Sequence, residues 1–305
     1  MTPIRNMREL VERASALGPC RVAVPGADSK TALGAALEGE ARGLVEPVLI
    51  GDRAAIVTAL ESYGADPARY PVVDEPDLDR AARRAVALVR GEGAEIVLKG
   101  SLSTAQLLRA VLDRDHGLRG PGLLSDVLVT EAPGGEPRLL GVTDGGLNVA
   151  PSLEDKRRIL ENAVRVFHRL GVERPKVALL CAIETVTPAM PHTAEAAALQ
   201  ALAERGELEG CEPFGPVALD GALSVGAARA KGMSHPAAGK ADVILVPNIE
   251  TGNALGKSFT WLAEKRVGHV VEGARAPVLI PSRAEGSMDK LCSLALGVLV
   301  ARGGR

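Results

Sequence analysis

Between Pro277 and Lys290 the chain runs Pro-Val-Leu-Ile-Pro-Ser-Arg-Ala-Glu-Gly-Ser-Met-Asp-Lys. The short apolar run from Pro277 to Ile280 has the composition of a buried strand. Ser282 and Arg283 follow where that strand should end. Gly286-Ser287 then opens an apolar-periodic run, Met288 to Val300, that predicts a helix with Asp289 in its first turn. A hydroxyl, a guanidinium and a carboxylate therefore gather at one strand-to-helix corner. Open α/β sheets bind ligands at the carboxyl ends of their strands. A fixed cation beside a helix N-terminus suits an anion such as phosphate. A carboxylate held there suits proton transfer. Each residue type also has an ordinary structural use. Asp is favoured in a first helical turn by the helix dipole, Ser often only caps a helix, and a lone Arg is usually solvated. On residue types alone, the corner is an anion site with a candidate base.

The rest of the chain must position that corner. Arg21-Val-Ala-Val-Pro reads as a first strand, followed by Gly26-Ala-Asp-Ser and a helical run to Glu38. Val45 to Ile50 and Pro71-Val-Val read as further strands. A helix opened by Gly51-Asp52 lies between them, and the helical spacing of Asp77 to Arg90 follows. Ile96-Val-Leu is a fourth strand. It leads into Lys99-Gly-Ser-Leu-Ser-Thr, a polar strand end that runs into a helix past Arg109. This alternation predicts a parallel sheet with helices on both faces. After the Gly- and Pro-rich stretch 117–122 the pattern changes to a hairpin, Leu123 to Glu131 and Arg138 to Thr143, with Pro133-Gly-Gly as the turn. A loop from Asp144 to Pro151 and a long helix capped by Ser152 come next. Strands are then expected at Lys176 to Ala182, Val217 to Asp220 and Val243 to Val246, with helices at Glu195 to Arg205, Ala222 to Ala230 and onward from Asn253 to about Glu264. Gly268 to Val271 and Val278 to Ile280 are the last strands. The expected architecture is two α/β domains with an inter-domain cleft. Residues 1–122 plus 274–305 form the first, closed by the C-terminal segment, and residues 123–273 form the second.

Composition removes several function classes. The chain has 305 residues, a net charge of −2 with both signs mixed, and only 2% aromatic residues. Charge of that kind does not make a basic nucleic-acid face, and so few rings leave no stacking platform for single strands. No apolar run is long enough to span a bilayer. The first residues, with Arg5, Arg8 and Glu9, lack a signal-peptide core, so cytoplasm is the expected location. Cys20, Cys181, Cys211 and Cys292 stand far apart, and the five histidines show no ligand spacing. No metal site is expected. Gly252-Asn-Ala-Leu-Gly-Lys-Ser258 follows a strand as a P-loop would, but it has three residues between its glycines where that motif needs four. No G-x-G-x-x-G follows a strand, and no G-x-S-x-G is present.

Several stretches together resemble the phosphate acetyl/butyryltransferase family. They are Lys99-Gly100 with Ser103-Thr104 and Leu108-Arg109, then Thr143-Asp-Gly-Gly-Leu-Asn-Val-Ala-Pro151, then Pro188-Ala-Met-Pro191. Ala241-Asp-Val-Ile-Leu-Val-Pro-Asn-Ile-Glu-Thr-Gly-Asn253 with Lys257-Ser258 and Ser282-Arg283 with Asp289 complete the set. The likeness runs from about residue 20 to the end, and the Asn-Val-Ala-Pro and Pro-Ala-Met-Pro segments lean toward the butyryl branch. The resemblance implies that acyl-CoA and phosphate exchange with acyl phosphate and CoA. CoA is then a substrate, with no metal or redox cofactor. It implies Asp289 as the base, Ser282 as the hydroxyl at the reacting centre, and Arg283 on the phosphoryl oxygens together with Arg109. Lys99, Ser101 and Thr104 are expected to complete the phosphate site. Asn248, Glu250, Gly252, Asn253 and Lys257 are expected in the substrate pocket. Their ordinary alternative is a capped helix start with a structural glycine. The acetyl branch has a further phosphate-binding arginine in its first domain, and no counterpart is placed here. The family likeness also implies a homodimer or higher homo-oligomer. Two other readings remain open at this point: a non-catalytic module that binds CoA or acyl phosphate, and a nucleotide-dependent kinase using the Gly252 to Ser258 stretch.

Overall fold

The computed structural model describes residues 2–120, 122–282 and 284–303. The chain begins with α1 (Met7–Ser15), β1 (Cys20–Pro25), α2 (Lys30–Ala41), β2 (Val45–Gly51) and α3 (Arg53–Ser62). A 3-10 turn at Pro67–Arg69 leads to β3 (Val72–Asp74), α4 (Leu78–Arg90), β4 (Ile96–Leu98) and α5 (Thr104–Val111). Then come β5 (Ser125–Glu131), β6 (Leu139–Thr143), α6 (Leu153–Arg169), β7 (Lys176–Leu180) and α7 (His192–Glu204). They are followed by β8 (Glu212–Val217), α8 (Leu219–Leu223), α9 (Val225–Ala230), β9 (Val243–Leu245) and α10 (Ile249–Trp261). The chain closes with β10 (Val267–Glu272), β11 (Val278–Leu279) and α11 (Ser287–Arg302).

The chain divides into two compact units, residues 8–122 with 268–305, and residues 1–7 with 123–267. In the first unit the strand order is β3-β2-β1-β4-β11-β10. β3, β2, β1, β4 and β11 run parallel, and β10 is antiparallel to β11. Val22, Ala23, Val24, Ile96, Val97 and Leu98 are all fully buried. Burial on both faces is why these strands read as continuous apolar runs rather than as an alternation. The C-terminal segment belongs to this unit: β11 is paired with β4, and α11 is buried along almost its whole length. A helix apolar all round must sit inside. It can pack closely on α2 because Gly39 has no side chain; a Cβ there would lie 3.0 Å from Leu294. Arg302 pins the end of α11, its Nε and Nη2 each 2.7 Å from the Glu95 carboxylate before β4.

In the second unit the order is β5-β6-β9-β7-β8, an antiparallel hairpin joined to a parallel set. Phe167 and Phe214 are its largest buried side chains. Residues 2–7, expected with the first domain, pack here instead, and the Ile4 N–H donates to Leu170 O at 2.9 Å. The strand expected at Val217 to Asp220 is displaced. The strand is Glu212–Val217, and a helix begins at Leu219. Pro213, Gly215 and Pro216 hid it; prolines are tolerated there because β8 is an edge strand. The helix expected over 222–230 is two short ones, divided where the Ser224 hydroxyl caps the second by accepting from Ala227 N. No helix among the described residues is long and apolar enough to cross a membrane.

Candidate functional site

Within the first unit three neighbouring parallel strands, β1, β4 and β11, end side by side. Gly100 N–H donates to Pro25 O at 3.0 Å, Ser101 N–H to Gly26 O at 2.9 Å, and Lys99 N–H to Leu279 O at 3.0 Å. The approach is close enough to exclude a side chain, since a Cβ on Gly100 would lie 2.1 Å from Gly26 O. Gly26 itself has φ +66°, the left-handed region that suits glycine. Past these strand ends α2, α5 and α11 begin. Each directs the positive end of its dipole toward them. Strand carboxyl ends beneath helix N-termini form an anion site.

The side chains expected at this corner are not all found there. Lys99 is 7% exposed and its Nζ donates to Leu102 O at 3.4 Å. Ser101 Oγ donates to Asp28 Oδ1 at 2.9 Å, and Ser103 caps α5 through Gln106, leaving Thr104 as the first helical residue. Ser282 is half-buried past the end of β11, and its carbonyl accepts from Glu285 N–H at 3.2 Å. Asp289 is 7% exposed; its Oδ2 accepts from Gly286 N–H at 3.3 Å. Its carbonyl accepts from Ser293 Oγ, which in turn accepts from His269 N–H. The backbone positions of Lys99, Ser101, Thr104, Ser282 and Asp289 thus share one end of the sheet. Arg109 points elsewhere, standing in the last turn of α5, 71% exposed, with Nη2 3.4 Å from Asp79 of α4. Arg283 lies outside the described residues.

Three charged residues here were not singled out from the sequence. Asp28 holds the Ser101 hydroxyl across strands. Glu285 sits between Ser282 and Asp289, its carboxyl pushed up chiefly by burial. Lys290 is 3% exposed and its Nζ donates to Glu285 O; burial pushes its ammonium down. The signal for the last two was their place inside the Ser282-to-Lys290 stretch. For Asp28 it was a polar residue just past a strand.

The second group of expected residues lies in the other unit, at the start of α10. Asn248 is the cap, its Oδ1 accepting from Thr251 N–H at 3.0 Å and Thr251 Oγ1 at 2.7 Å. Gly252 is there because nothing larger fits, since a Cβ would lie 2.7 Å from both Asp144 O and Gly145 Cα. Asn253 Nδ2 donates to Gly145 O at 3.2 Å, while Glu250 and Lys257 are exposed. Gly252 to Ser258 are all inside the helix, so their N–H groups form no phosphate loop. The turn they pack on is set by Asp144, 2% exposed, which accepts from the N–H groups of Gly146, Leu147 and Asn148. Burial, and then the Asp126 charge, push its carboxyl up to about 6.

The comparisons with known proteins agree with one another. A family model described as phosphate acetyl/butaryl transferase matches residues 77–298. Phosphate butyryltransferase of Clostridium acetobutylicum is 40% identical over 298 residues, 98% of this chain and 99% of its own. Phosphate acetyltransferase of Rhizobium meliloti is 39% identical over 292 residues, 96% of this chain and 92% of its own. The crystal structure of a branched-chain phosphotransacylase from Enterococcus faecalis V583 matches with a TM-score of 0.82 at 29% identity, covering 93% of this chain and 100% of that one.

Proposed function

The chain belongs to the phosphate acetyl/butaryl transferase family, and from that membership we propose that it exchanges a short acyl group between coenzyme A and inorganic phosphate. One observation carries the reading within this structure. A buried carboxylate, Asp289, and a hydroxyl, Ser282, flank the same turn, beside Lys99 and Ser101 at the adjoining strand end and beneath the starts of α5 and α11.

Written toward CoA, the thiol of CoA attacks the carbonyl carbon of an acyl phosphate. A free thiol has a pKa of about 8.5, so a base raises its thiolate fraction. Asp289 takes that proton. The C–S bond forms, the C–O bond to phosphate breaks, and its electron pair leaves with phosphate. The Ser282 hydroxyl donates to the carbonyl oxygen as negative charge develops there. Lys99, Ser101, Thr104 and the neighbouring helix N-terminus hold the phosphoryl oxygens, with Arg283 contributing its guanidinium. Every bond change is a proton or acyl transfer, so the reaction as written calls for no metal and no redox cofactor. In the second unit Asn248 and Gly252 fix the start of α10 against the Asp144 turn, and Glu250, Asn253 and Lys257 are the polar groups that α10 carries beside it. Butyryl is favoured over acetyl, a reading supported by the name of the Clostridium acetobutylicum relative, phosphate butyryltransferase, and soluble CoA thioesters fit a cytoplasmic location. The enzyme works as a homodimer or higher homo-oligomer; Trp261 and Leu262, 68% and 83% exposed at the end of α10, offer apolar surface for that contact.

The test is thiol release from acetyl-, propionyl-, butyryl- and longer acyl-CoA, with and without phosphate. Phosphate-dependent release, greatest for butyryl-CoA, is expected. Binding of CoA without turnover would instead make the chain a sensing module. Asp289→Asn should keep the fold and lose on the order of 10²-fold or more in turnover; full activity in that variant removes the base from the mechanism.

A further inference from the structure

Ser101 stands just past the end of β4, and the turn after β1 takes both of its donors. Its N–H donates to Gly26 O at 2.9 Å, and its hydroxyl donates to Asp28 Oδ1, also at 2.9 Å. A carboxylate offers only acceptors, so the proton in the second bond belongs to Ser101. The fit leaves little room for another arrangement. A Cβ on Gly26 would lie 2.5 Å from Ser101 Oγ and 2.8 Å from Ser101 N. Ser101 therefore offers a ligand lone pairs alone. Lys99, two residues earlier, is the opposite: its ammonium is a donor with no acceptor. The strand ends thus combine a buried cation with an acceptor backed by a negative charge.

We propose that Ser101 and Asp28 select an oxyanion that carries a proton: Ser101 Oγ accepts from the P–OH of inorganic phosphate, and Asp28 is the positioning residue that fixes the hydroxyl as an acceptor. The proposal rests on the functional reading above, with phosphate held beside Ser101. At neutral and slightly alkaline pH inorganic phosphate keeps a proton on one oxygen, and so does arsenate. Sulfate has the same shape and no proton. A phosphoryl group on an organic oxygen loses its second proton near about pH 6, so butyryl phosphate has none either. Sulfate and butyryl phosphate set oxygen lone pairs against the lone pairs of Ser101, with the Asp28 charge behind them. A site built around one hydrogen bond rejects the analogue that cannot make it. The same contact sorts the two phosphoryl species of the reaction. It holds phosphate until the acyl group arrives, and it loosens its hold on the acyl phosphate that results.

The experiment measures three constants at slightly alkaline pH in wild type, Asp28→Asn and Ser101→Ala. They are KM for phosphate with butyryl-CoA, KM for butyryl phosphate with CoA, and the inhibition constant of sulfate. In wild type, sulfate should bind at least about 10-fold more weakly than phosphate, and arsenate should drive thiol release as phosphate does. In Asp28→Asn the amide can donate to Ser101 Oγ and release the hydroxyl to donate to the ligand. Sulfate and butyryl phosphate should then bind about 10-fold more tightly, with the KM for phosphate changed far less. A residue that only braced the turn would weaken all three anions together, and that result overturns the proposal. Ser101→Ala removes the acceptor itself, so sulfate should tighten while phosphate weakens. That variant decides the matter if Asp28→Asn fails to fold. Sulfate inhibition in wild type as strong as phosphate binding, or the same phosphate-to-sulfate ratio in wild type and variants, overturns the proposal and leaves the functional reading standing. Wild type without any phosphate-dependent thiol release overturns that reading and this proposal with it.

Discussion

Gly100→Ala is the sharpest test of how the strand ends are built. The new methyl would lie 2.1 Å from Gly26 O and 2.3 Å from Pro25 O, both backbone atoms that cannot swing aside. Relief requires β4 to part from β1 at its carboxyl end. That movement breaks the Gly100-to-Pro25 and Ser101-to-Gly26 hydrogen bonds, now 3.0 and 2.9 Å long. Overpacking costs about 1–3 kcal/mol, and two hydrogen bonds add roughly 1 kcal/mol each. The total, about 3–5 kcal/mol, is a large part of the ordinary ~5–15 kcal/mol stability of a domain. In urea unfolding it should lower the midpoint by roughly 1–2 M at unchanged slope. Lys99 and Ser101 would move with the strand end, so turnover should fall even where the variant remains folded. Gly122→Ala is the control. No heavy atom lies within 4 Å of its Cβ position, and its stability should stay within about 0.5 kcal/mol of wild type. If Gly100→Ala unfolds at the same urea concentration as that control, the close approach of β1 and β4 is not real and the argument for a built anion site fails.

Asp144 gives a pH prediction. Its carboxyl, pushed from an ordinary 3.8 to about 6 by burial and Asp126, favours the folded state most when protonated. The contribution is complete below the unfolded value and is lost as pH rises through about 6, a decline on the order of 1–3 kcal/mol. Asp144→Asn should flatten that decline in urea unfolding at pH values on either side of this window, and an unchanged slope would count against it. Lys156 gives another. Its side chain is 4% exposed and bonds to Glu195 and to His192 Nδ1, the latter at 3.2 Å. Lys156→Met should cost about 2–3 kcal/mol, less than a fully buried pair because Glu195 is 29% exposed and can regain water. Adding Glu195→Gln should recover much of the loss in a double-mutant cycle; no recovery would mean that the pair is not coupled.

How much of this could be read beforehand follows from the separation of the residues involved. Ser282 and Asp289 flank one turn, so an apolar strand, a polar break and a helical period are enough to place them together. The strand–helix alternation was legible for a similar reason: strands buried on both faces are short apolar runs, and β1, β2 and β4 are of that kind. β8 was not, because an edge position admits the prolines that argue against a strand elsewhere. The bond from Ser101 to Asp28 spans 73 residues of sequence. It exists only because β1 and β4 are parallel neighbours in one register, and no local pattern states a register. Gly252 shows the same limit from the other side. Read along the chain it starts a near-miss phosphate loop; in space it is the contact point between α10 and the Asp144 turn. Chemistry carried by a single turn is therefore visible in the order of residues, whereas chemistry shared between strands depends on pairing. The C-terminal segment joins the two. β11 pairs with β4 in parallel register, Leu279 opposite Leu98, and that single pairing brings the Ser282 turn to the strand end that carries Lys99 and Ser101.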